Sequence, residues 1–294
     1  MTDRWDTVLG YLVAAAPPDG VVAIDGPPAE AELLAERLRA RCAAAVVTGP
    51  GDGADLTIRV RTSRADGRDD RAGAVVDLGD VTWPILRHLD PALVPAARWH
   101  GSESQAFFAV RAAGWDSRFG DDLPAYTLAI SSAGIPAGGV AIDIGCGTGR
   151  ALPPLRDAVG PTGTVLGIDH TAQMLSAAAS RAAACAATLV RADARRLPLS
   201  GGTADALFAA GLLTHLPDHD EALTELARAT RPGGRLILFH PTGRSALAAR
   251  HGRTLDPGEL FAEPVLRAAM SRTGWELLTY DDPPHRFHAV AQRT

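Results

Sequence analysis

Hydrophobic and polar positions alternate along most of the chain in two patterns. Short apolar runs, such as VVAID at 21–25 and VAIDI at 140–144, are followed by stretches with apolar residues three and four positions apart. The short runs are typical of buried strands, and the second spacing is typical of amphipathic helices. Because the two patterns follow each other repeatedly, they predict an α/β fold with helices packed against parallel strands.

The predicted elements form two series. In the first series we expect a helix at 29–42 and strands at 21–25, 44–48, 56–60 and 74–78. In the second we expect two helices within 102–133, strands at 140–144, 164–168, 188–191, 204–210 and 235–240, later helices at 172–186, 218–230 and 257–273, and a final antiparallel strand pair. At roughly 100 to 200 residues per domain, the 294 residues suit two domains. We predict a smaller α/β domain at 1–98 and a second domain at 102–294.

The composition limits the classes of partner. The chain is 46% hydrophobic and 21% charged, so it can bury a sizeable core. Its net charge is −5 and it contains no run of basic residues. Because nucleic-acid-binding proteins usually present a basic face, we expect no nucleic-acid partner. All 29 basic residues are arginine, which excludes chemistry that needs a lysine amine.

The cysteines and the first residues bear on metal binding and location. Cys42, Cys146 and Cys185 are far apart in sequence and show no paired spacing. We therefore expect neither a disulfide framework nor a metal site. The opening segment, MTDRWDTVLGYLVAAAPPDG, has no basic stretch ahead of a long apolar core. It predicts neither a signal peptide nor a membrane span, and we expect a cytoplasmic protein.

The first of two glycine turns lies in VVAIDGPPAEAEL. Its AIDGP segment and the following helix resemble those of P-loop nucleoside kinases of the uridine-kinase type, and that resemblance implies ATP binding. The P-loop pattern is G-x-x-x-x-G-K-[ST], but Ala31, Glu32 and Leu33 occupy its last three positions. Glu32 would repel phosphate, and Pro27 and Pro28 lack the N–H groups that bind it. We expect a degenerate P-loop-like domain that binds no ATP and serves packing or assembly, for example as a homodimer contact.

The second glycine turn, in VAIDIGCGTGR, has the pattern D-x-G-x-G-x-G, which begins at Asp143. A predicted strand precedes it and a predicted helix follows it, which is the arrangement that holds nucleotides in α/β folds. In such folds an acid about 20 residues further on binds ribose hydroxyls, and Asp169 lies there, at the end of the next strand. A third strand leads to another acid, Asp193. The turn therefore predicts a nucleotide-like ligand.

Several segments in order resemble class I S-adenosylmethionine-dependent methyltransferases. DIGCGTG is similar to the first motif of that family, GPTGTVLGIDHTAQMLSAA to its second strand and following helix, and RATRPGGRLIL to the entry of its fifth strand. The resemblance covers residues 134–240, and the chain looks most like the ubiquinone/menaquinone-type and small-molecule natural-product enzymes. It implies a doubly wound, Rossmann-like sheet of seven strands, with the helices of 102–133 as a lid. It also implies S-adenosylmethionine as the cofactor.

Binding of NAD is the alternative for such a turn. The dinucleotide fingerprint is G-x-G-x-x-G, whereas the third glycine of this chain falls at 149 and not at 150. This spacing disfavours NAD.

The resemblance implies a role for each residue around the turn. The glycines let the backbone approach the ligand, Asp143 helps to receive its amino group, and Asp169 binds its ribose. Asp193 and the Ala194 backbone would meet the adenine edge, and Met174 would pack against the ring. The predicted cofactor site comprises Asp143, Gly145, Cys146, Gly147, Gly149, Asp169, His170, Met174, Asp193, Ala194 and Ala210.

The acceptor side is encoded more weakly, because methyl transfer needs mainly proximity and a dry site. The segment AAGLLTHLPD lacks the Asn/Asp-Pro-Pro-aromatic run of base-amino methylases. His215 in this segment is the candidate general base, since histidine titrates near neutral pH; a structural role near Asp218 is the alternative. We predict an acceptor pocket formed by Trp115, Tyr126, His215 and His240.

These observations predict an S-adenosylmethionine-dependent methyltransferase. Its acceptor would be an O, C or N atom of a small apolar or aromatic metabolite. Methylation of RNA or protein is one alternative, and a non-catalytic S-adenosylmethionine-binding protein is another.

Overall fold

A computed structural model describes residues 3–62, 72–118, 122–250 and 252–294. They fall into two compact units, unit 1 (Met1–Phe107) and unit 2 (Phe108–Thr294). The division lies between two adjacent phenylalanines, whereas the sequence predicted a break between 98 and 102. Residues 119–121 of the predicted lid lie outside the described residues.

Unit 1 contains a five-stranded sheet with helices. The helices are α1 (Arg4–Ala15), α2 (Pro28–Arg39) and α3 (His100–Ala109), the last of which runs across the division. The strands are β1 (Val21–Asp25), β2 (Ala45–Thr48), β3 (Leu56–Arg61), β4 (Ala74–Asp77) and β5 (Ile85–Leu89). The order is β2-β1-β3-β4-β5, with β5 antiparallel to β4 and the other pairs parallel. Apolar residues of α1, α2 and the strands form its core, among them Leu12, Ile24, Leu34 and Ile58.

The junction between β1 and α2 differs from a phosphate-binding loop. Only Gly26 and Pro27 separate the strand from the helix, and Pro28 begins the helix with a preset φ. Gly26 has φ +152°, and a Cβ atom there would lie 2.6 Å from the carbonyl oxygen of Val60. The close approach of β3 therefore requires this glycine. The connection is too short to wrap around a phosphate group.

Unit 2 contains a seven-stranded sheet. Its strands are β6 (Val140–Ile144), β7 (Thr164–Asp169), β8 (Thr188–Arg191), β9 (Ala204–Ala210), β10 (Thr230–His240), β11 (Trp275–Asp281) and β12 (Phe287–Arg293). Its helices are α4 (Leu123–Ser131), α5 (Leu152–Val159), α6 (Ala172–Ala184), α7 (His219–Ala229), α8 (Arg244–Arg250) and α9 (Glu263–Arg272). The order is β11-β12-β10-β9-β6-β7-β8; β12 is antiparallel to both of its neighbours, and the other pairs are parallel.

Both faces of this sheet carry apolar clusters. On one face, Ile142 and Ile144 of β6 belong to a cluster with Leu226 of α7 and Leu266 of α9. On the other face, the alternate residue Ala141 belongs to a cluster with residues of α4 and α5, such as Leu155. The predicted α/β architecture with a doubly wound sheet is thereby confirmed. The strand order reverses at β6, so ligands are expected beyond the carboxyl ends of β6 and its neighbours.

Two predicted elements differ clearly from the observed ones, and one observed strand was not predicted. The last helix begins at Glu263 and not near residue 257, because Pro257 and Gly258 form a turn in which the Gly258 nitrogen donates to Asp256. Strand β10 begins at Thr230 and includes the RPGG segment that was expected to be a turn, with a register shift before Arg235. Strand β5 was not predicted at all. Among the described residues, every helix is too short or too polar to cross a membrane.

Candidate functional site

The glycine loop of 145–149 joins β6 to α5 at the sheet edge where the order reverses. Gly145, Gly147 and Gly149 have φ values of +70°, +52° and +79°, a region that L residues rarely adopt. The nitrogens of Gly145 and Cys146 both donate to the Ile168 carbonyl, at 2.8 and 2.9 Å. These hydrogen bonds tie the loop to β7. A Cβ atom added at Gly147 would meet nothing within 4 Å, so the space beside the loop is open.

Asp169 ends β7 and faces this loop. Its side chain is buried, with Oδ2 accepting the Gly147 nitrogen at 2.9 Å and Oδ1 accepting the Thr171 nitrogen at 2.8 Å. Each carboxylate oxygen has a second lone pair. Asp169 can therefore accept hydrogen bonds from two ligand hydroxyls while it holds the loop.

Asp143 is the buried acid on β6. It is 2% exposed, and within the described residues no donor is hydrogen-bonded to its carboxyl group. Burial, together with the nearby Asp169 carboxylate, raises the pKa of Asp143 well above its usual value. A buried carboxyl group without a partner is costly. The site therefore suits a ligand that brings a donor or a positive charge to this residue.

Asp193 follows β8 and is held by Arg195. The Arg195 backbone nitrogen and Nε donate to Oδ1 at 2.9 and 3.1 Å, and Nη2 donates to Oδ2 at 2.8 Å. Burial works to raise the pKa of Asp193, but these hydrogen bonds outweigh it and the pKa lies below its ordinary value. The carboxylate is thus charged and fixed in orientation, with the buried Ala194 next to it.

Two acids of the predicted lid bind the helix side of the glycine loop. Asp116 accepts Thr148 Oγ1 at 2.5 Å and Arg181 Nη2 at 2.9 Å. Asp122 forms an ion pair with Arg150, and both side chains are largely buried. Sequence reasoning missed all of these residues, although Arg150 directly follows the third glycine. We call Asp116, Asp122, Thr148, Arg150 and Arg181 the latch.

Burial affects the two acids of the latch differently. For Asp116, burial works to raise the pKa, but hydrogen bonds from Thr148 and Arg181 lower it below the ordinary value. For Asp122, burial is the larger effect and raises the pKa despite the neighbouring Arg150.

Four aromatic side chains meet beside the loop. The Phe108 ring lies edge-on to Trp115 at 5.5 Å, to His215 at 5.0 Å and to His170 at 6.4 Å between centroids. His170 follows Asp169, and His215 ends a 3₁₀ turn (Leu213–His215) after β9. The structure thus brings together Trp115 and His215 of the predicted acceptor pocket with His170 of the predicted cofactor site.

A cavity lies beyond the ends of β9 and β10. It has an empty volume of about 420 Å³, part of which is open to solvent. Its lining is mainly apolar: Ala209, Gly211, Leu212, Leu213, Thr214, Leu238, Phe239, His240, Thr242, Arg244, Leu247, Phe261 and Phe287. Leu212 also borders the glycine loop, because a Cβ atom at Gly145 would lie 2.9 Å from its Cδ1 atom. The cavity and the loop are therefore adjacent.

The remaining predicted residues lie in different places. His240 lines the cavity, and its Nδ1 lies 2.8 Å from the Thr242 carbonyl oxygen. Tyr126, in contrast, lies in the core of unit 2, with its ring 4.8 Å from that of Phe239. It does not line the cavity, because α4 turns this side chain toward the sheet.

The other predicted cofactor residues line the same sheet edge or lie just below it. Cys146 is buried in the loop, where burial raises the pKa of its thiol. Ala210 ends β9 opposite Phe239 of β10. Met174 is buried on α6. Among the described residues there is no group of three or more histidine, cysteine or acidic side chains placed to hold a metal ion.

Comparison with known proteins gives the class of this site. Residues 142–238 match the family model described as a methyltransferase domain. Unit 2 therefore contains a segment that is similar to a methyltransferase domain. The prediction of S-adenosylmethionine as its cofactor is confirmed at the level of this domain.

Individual relatives match over part of their length. A demethylmenaquinone methyltransferase of Bacillus licheniformis is 35% identical over 137 residues, which are 44% of this chain and 59% of that protein. An uncharacterized 37.1 kDa protein in transposon TN4556 of Streptomyces fradiae is 40% identical over 102 residues, which are 34% of this chain and 30% of that protein. The chain thus spans less than two thirds of the length of these relatives.

A solved structure supports the fold alone. A chain from the complex that contains the Haloferax volcanii Trm112 methyltransferase activator superimposes with a TM-score of 0.51 at 18% identity. The match covers 63% of this chain and 97% of that chain.

Proposed function

We propose that this protein transfers the methyl group of S-adenosylmethionine to a small apolar or aromatic metabolite. The observation that carries the proposal is the Asp169 carboxylate, which is bound to the glycine loop through Gly147 and keeps lone pairs for ligand hydroxyls. The similarity to demethylmenaquinone methyltransferases supports the same reaction class.

The residues around the loop fit this cofactor chemically. Asp169 would accept hydrogen bonds from the two ribose hydroxyls. Asp143 would face the ammonium group, which gives its buried carboxyl group the partner that the described residues do not supply. Asp193, held by Arg195, would accept the adenine amino group, and the Ala194 backbone would meet the ring edge. When bound, the cofactor supplies an electrophilic methyl group on a sulfonium.

The acceptor would enter the apolar cavity next to the loop. Leu212 lines this cavity and borders the loop, and the surrounding side chains are mainly apolar, which favours displacement at a sulfonium. His215, one turn from Leu212, is the group proposed to accept a proton when the acceptor loses one. Its ring is held in place by Phe108.

The same proposal includes the class of acceptor and the role of unit 1. The net charge of −5 supports a small-molecule acceptor over a nucleic acid. Unit 1, at residues 1–107, would serve assembly of a homodimer.

Titration calorimetry of the full chain with S-adenosylhomocysteine tests the cofactor site. We expect saturable binding and a loss of at least about tenfold in affinity for Asp169→Ala, since hydrogen bonds to a charged group contribute about 1.5–3 kcal/mol. Asp157→Ala, an exposed acid on α5, is the matched control and should bind normally. No heat at millimolar ligand would contradict the proposal.

A further inference from the structure

The cavity next to the glycine loop contains one feature that its apolar lining does not explain. Arg244, at the start of α8, is the only charged side chain in that lining among the described residues. An arginine in a pocket usually indicates a carboxylate or phosphate on the ligand. Its contacts decide whether that interpretation holds here.

All three guanidinium nitrogens of Arg244 contact partners of unit 2. Nε and Nη2 lie 2.8 and 2.7 Å from Glu259 Oε1. Nη1 lies 3.0 Å from the Tyr280 hydroxyl and 3.3 Å from Asp282 Oδ2. The Arg244 backbone nitrogen also donates to Asp282 Oδ1 at 2.8 Å. Two carboxylates therefore compensate one positive charge.

The same contacts build the wall of the cavity. They join the start of α8 to the segment before α9 and to the connection between β11 and β12. The Tyr280 hydroxyl donates to the Phe261 carbonyl at 2.8 Å, and the Phe261 ring lies 5.0 Å from Phe287. Phe261 and Phe287 both line the cavity. Arg244 thus positions apolar rings instead of offering its charge to a ligand.

We infer that this cavity selects an uncharged, apolar acceptor, and that Arg244 acts as a positioning residue that closes the cavity wall. A negatively charged acceptor would lose its hydration on entry and would find no positive charge to replace it, because Glu259 and Asp282 already contact the Arg244 guanidinium. A positively charged acceptor would find both carboxylates occupied by Arg244. An uncharged ring gives up no hydration of a charge on entry and buries apolar surface. The inference rests on the proposed function, since it names the class of molecule that receives the methyl group.

Two probes with the same ring separate the possibilities. We would measure binding of 1-naphthol and of 1-naphthoate to the full chain, with and without saturating S-adenosylhomocysteine. We expect 1-naphthol to bind at least about tenfold more tightly than 1-naphthoate, because an unpaired charge is costly to desolvate. Tighter binding of 1-naphthoate would overturn the inference.

Substitutions test the part played by Arg244. Glu259→Gln removes one compensating charge, so the affinity for 1-naphthoate should rise at least about fivefold while that for 1-naphthol stays within about twofold. Glu263→Gln, which breaks an exposed pair with Arg267 on α9, is the control and should change neither affinity. An unchanged preference in Glu259→Gln would contradict the role of Arg244.

A further variant tests whether 1-naphthol binds in this cavity. Leu247 on α8 lines the cavity and is partly exposed, so Leu247→Trp would add bulk to the cavity at a position outside the buried core. We expect this variant to melt normally by circular dichroism and to lose 1-naphthol binding. Unchanged binding would place the probe elsewhere and overturn the inference. Failure of S-adenosylhomocysteine to bind, with the naphthol preference intact, would reject methyl transfer and leave the selectivity of the cavity standing.

Discussion

The Asp169 carboxylate lies 2.9 Å from the backbone nitrogen of Gly147 and accepts its hydrogen bond. This contact links the end of β7 to the middle of the glycine loop. The shape of the loop and the orientation of the acid are therefore fixed together. A change in the loop backbone should alter both stability and ligand binding.

Gly147→Ala tests this coupling. Gly147 has φ +52°, so alanine there should cost about 1–2 kcal/mol of unfolding free energy. Its Cβ atom would also occupy the open space beside the loop, so the affinity for S-adenosylhomocysteine should fall. Gly134→Ala in the turn after α4, with φ +70° and equally open surroundings, is the control. It should lose similar stability in urea unfolding but keep its affinity; equal affinities in the two variants would contradict the prediction.

The buried carboxyl group of Asp143 should make stability depend on pH. Its folded-state pKa is raised by burial and by Asp169, whereas an unfolded aspartate has a pKa of about 3.9. From about pH 4 up to the raised pKa, the folded chain holds more protons than the unfolded chain. The contribution of this group to stability is therefore present below about pH 4 and is lost as the pH rises through that window.

Asp143→Asn should for this reason stabilise the ligand-free protein at pH 7. We expect a gain of at least about 1 kcal/mol that shrinks toward pH 4, together with weaker S-adenosylhomocysteine binding. Urea unfolding at the two pH values measures the gain, with the exposed Asp157→Asn as the control. A variant that is less stable than the wild type at pH 7 would show that Asp143 has a stabilising partner.

The latch should contribute to the stability of unit 2. Asp122→Asn removes the nearer of two carboxylates paired with the buried Arg150, since Asp116 lies 3.8 Å from it, and this should cost about 2–3 kcal/mol. Asp220→Asn removes an exposed ion pair with Arg272 and should cost less than about 1 kcal/mol. Chemical denaturation of both variants measures the difference. Equal losses would mean that burial of the Asp122–Arg150 pair has no energetic role.

His215→Ala should slow turnover if this histidine accepts a proton. For an acceptor that must lose a proton, we expect kcat to fall about 100-fold, with S-adenosylhomocysteine affinity within about twofold of the wild type. The acidic limb of the pH–rate profile should disappear in the variant. Formation of S-adenosylhomocysteine in a coupled assay provides the rate. An unchanged rate and profile would contradict a role of His215 as the proton acceptor and favour a structural role, such as its packing against Phe108.

Unit 1 should not bind ATP. Its β1–α2 junction has two residues, and Glu32 stands where a P-loop has its lysine. Glu32 instead accepts a hydrogen bond from Arg39 at 2.6 Å. Calorimetry with ATP and Mg²⁺ should give no saturable heat at millimolar nucleotide. A magnesium-dependent affinity would restore the kinase-like interpretation of the first glycine turn.

The cofactor side was predictable because its signal is local. A strand, a glycine turn and a following acid lie within one βαβ unit, and the bounds of β6, β8 and β9 match the prediction. The latch was not predictable from spacing. Asp116 and Arg181 are 65 positions apart in sequence, so only tertiary packing decides that they meet.

Tyr126 and β5 show the same limit in other ways. Helix α4, LPAYTLAIS, is apolar around most of its surface. The spacing of its apolar residues therefore does not indicate which side of the helix packs against the core and which side faces a pocket. In β5, the polar residues Arg87 and His88 interrupt the apolar run, and the strand pairs antiparallel at a sheet edge. The orientation of Tyr126 and the formation of β5 both depend on which elements pack beside them, and the local sequence pattern does not specify those neighbours.

Leu212 stands between the glycine loop and the cavity, against Gly145 on one side and open space on the other. Under the proposed function, this one aliphatic side chain would stand between the bound cofactor and the acceptor. A shorter residue at this position would then let the two ligands approach each other more closely, and a bulkier one would hold them apart.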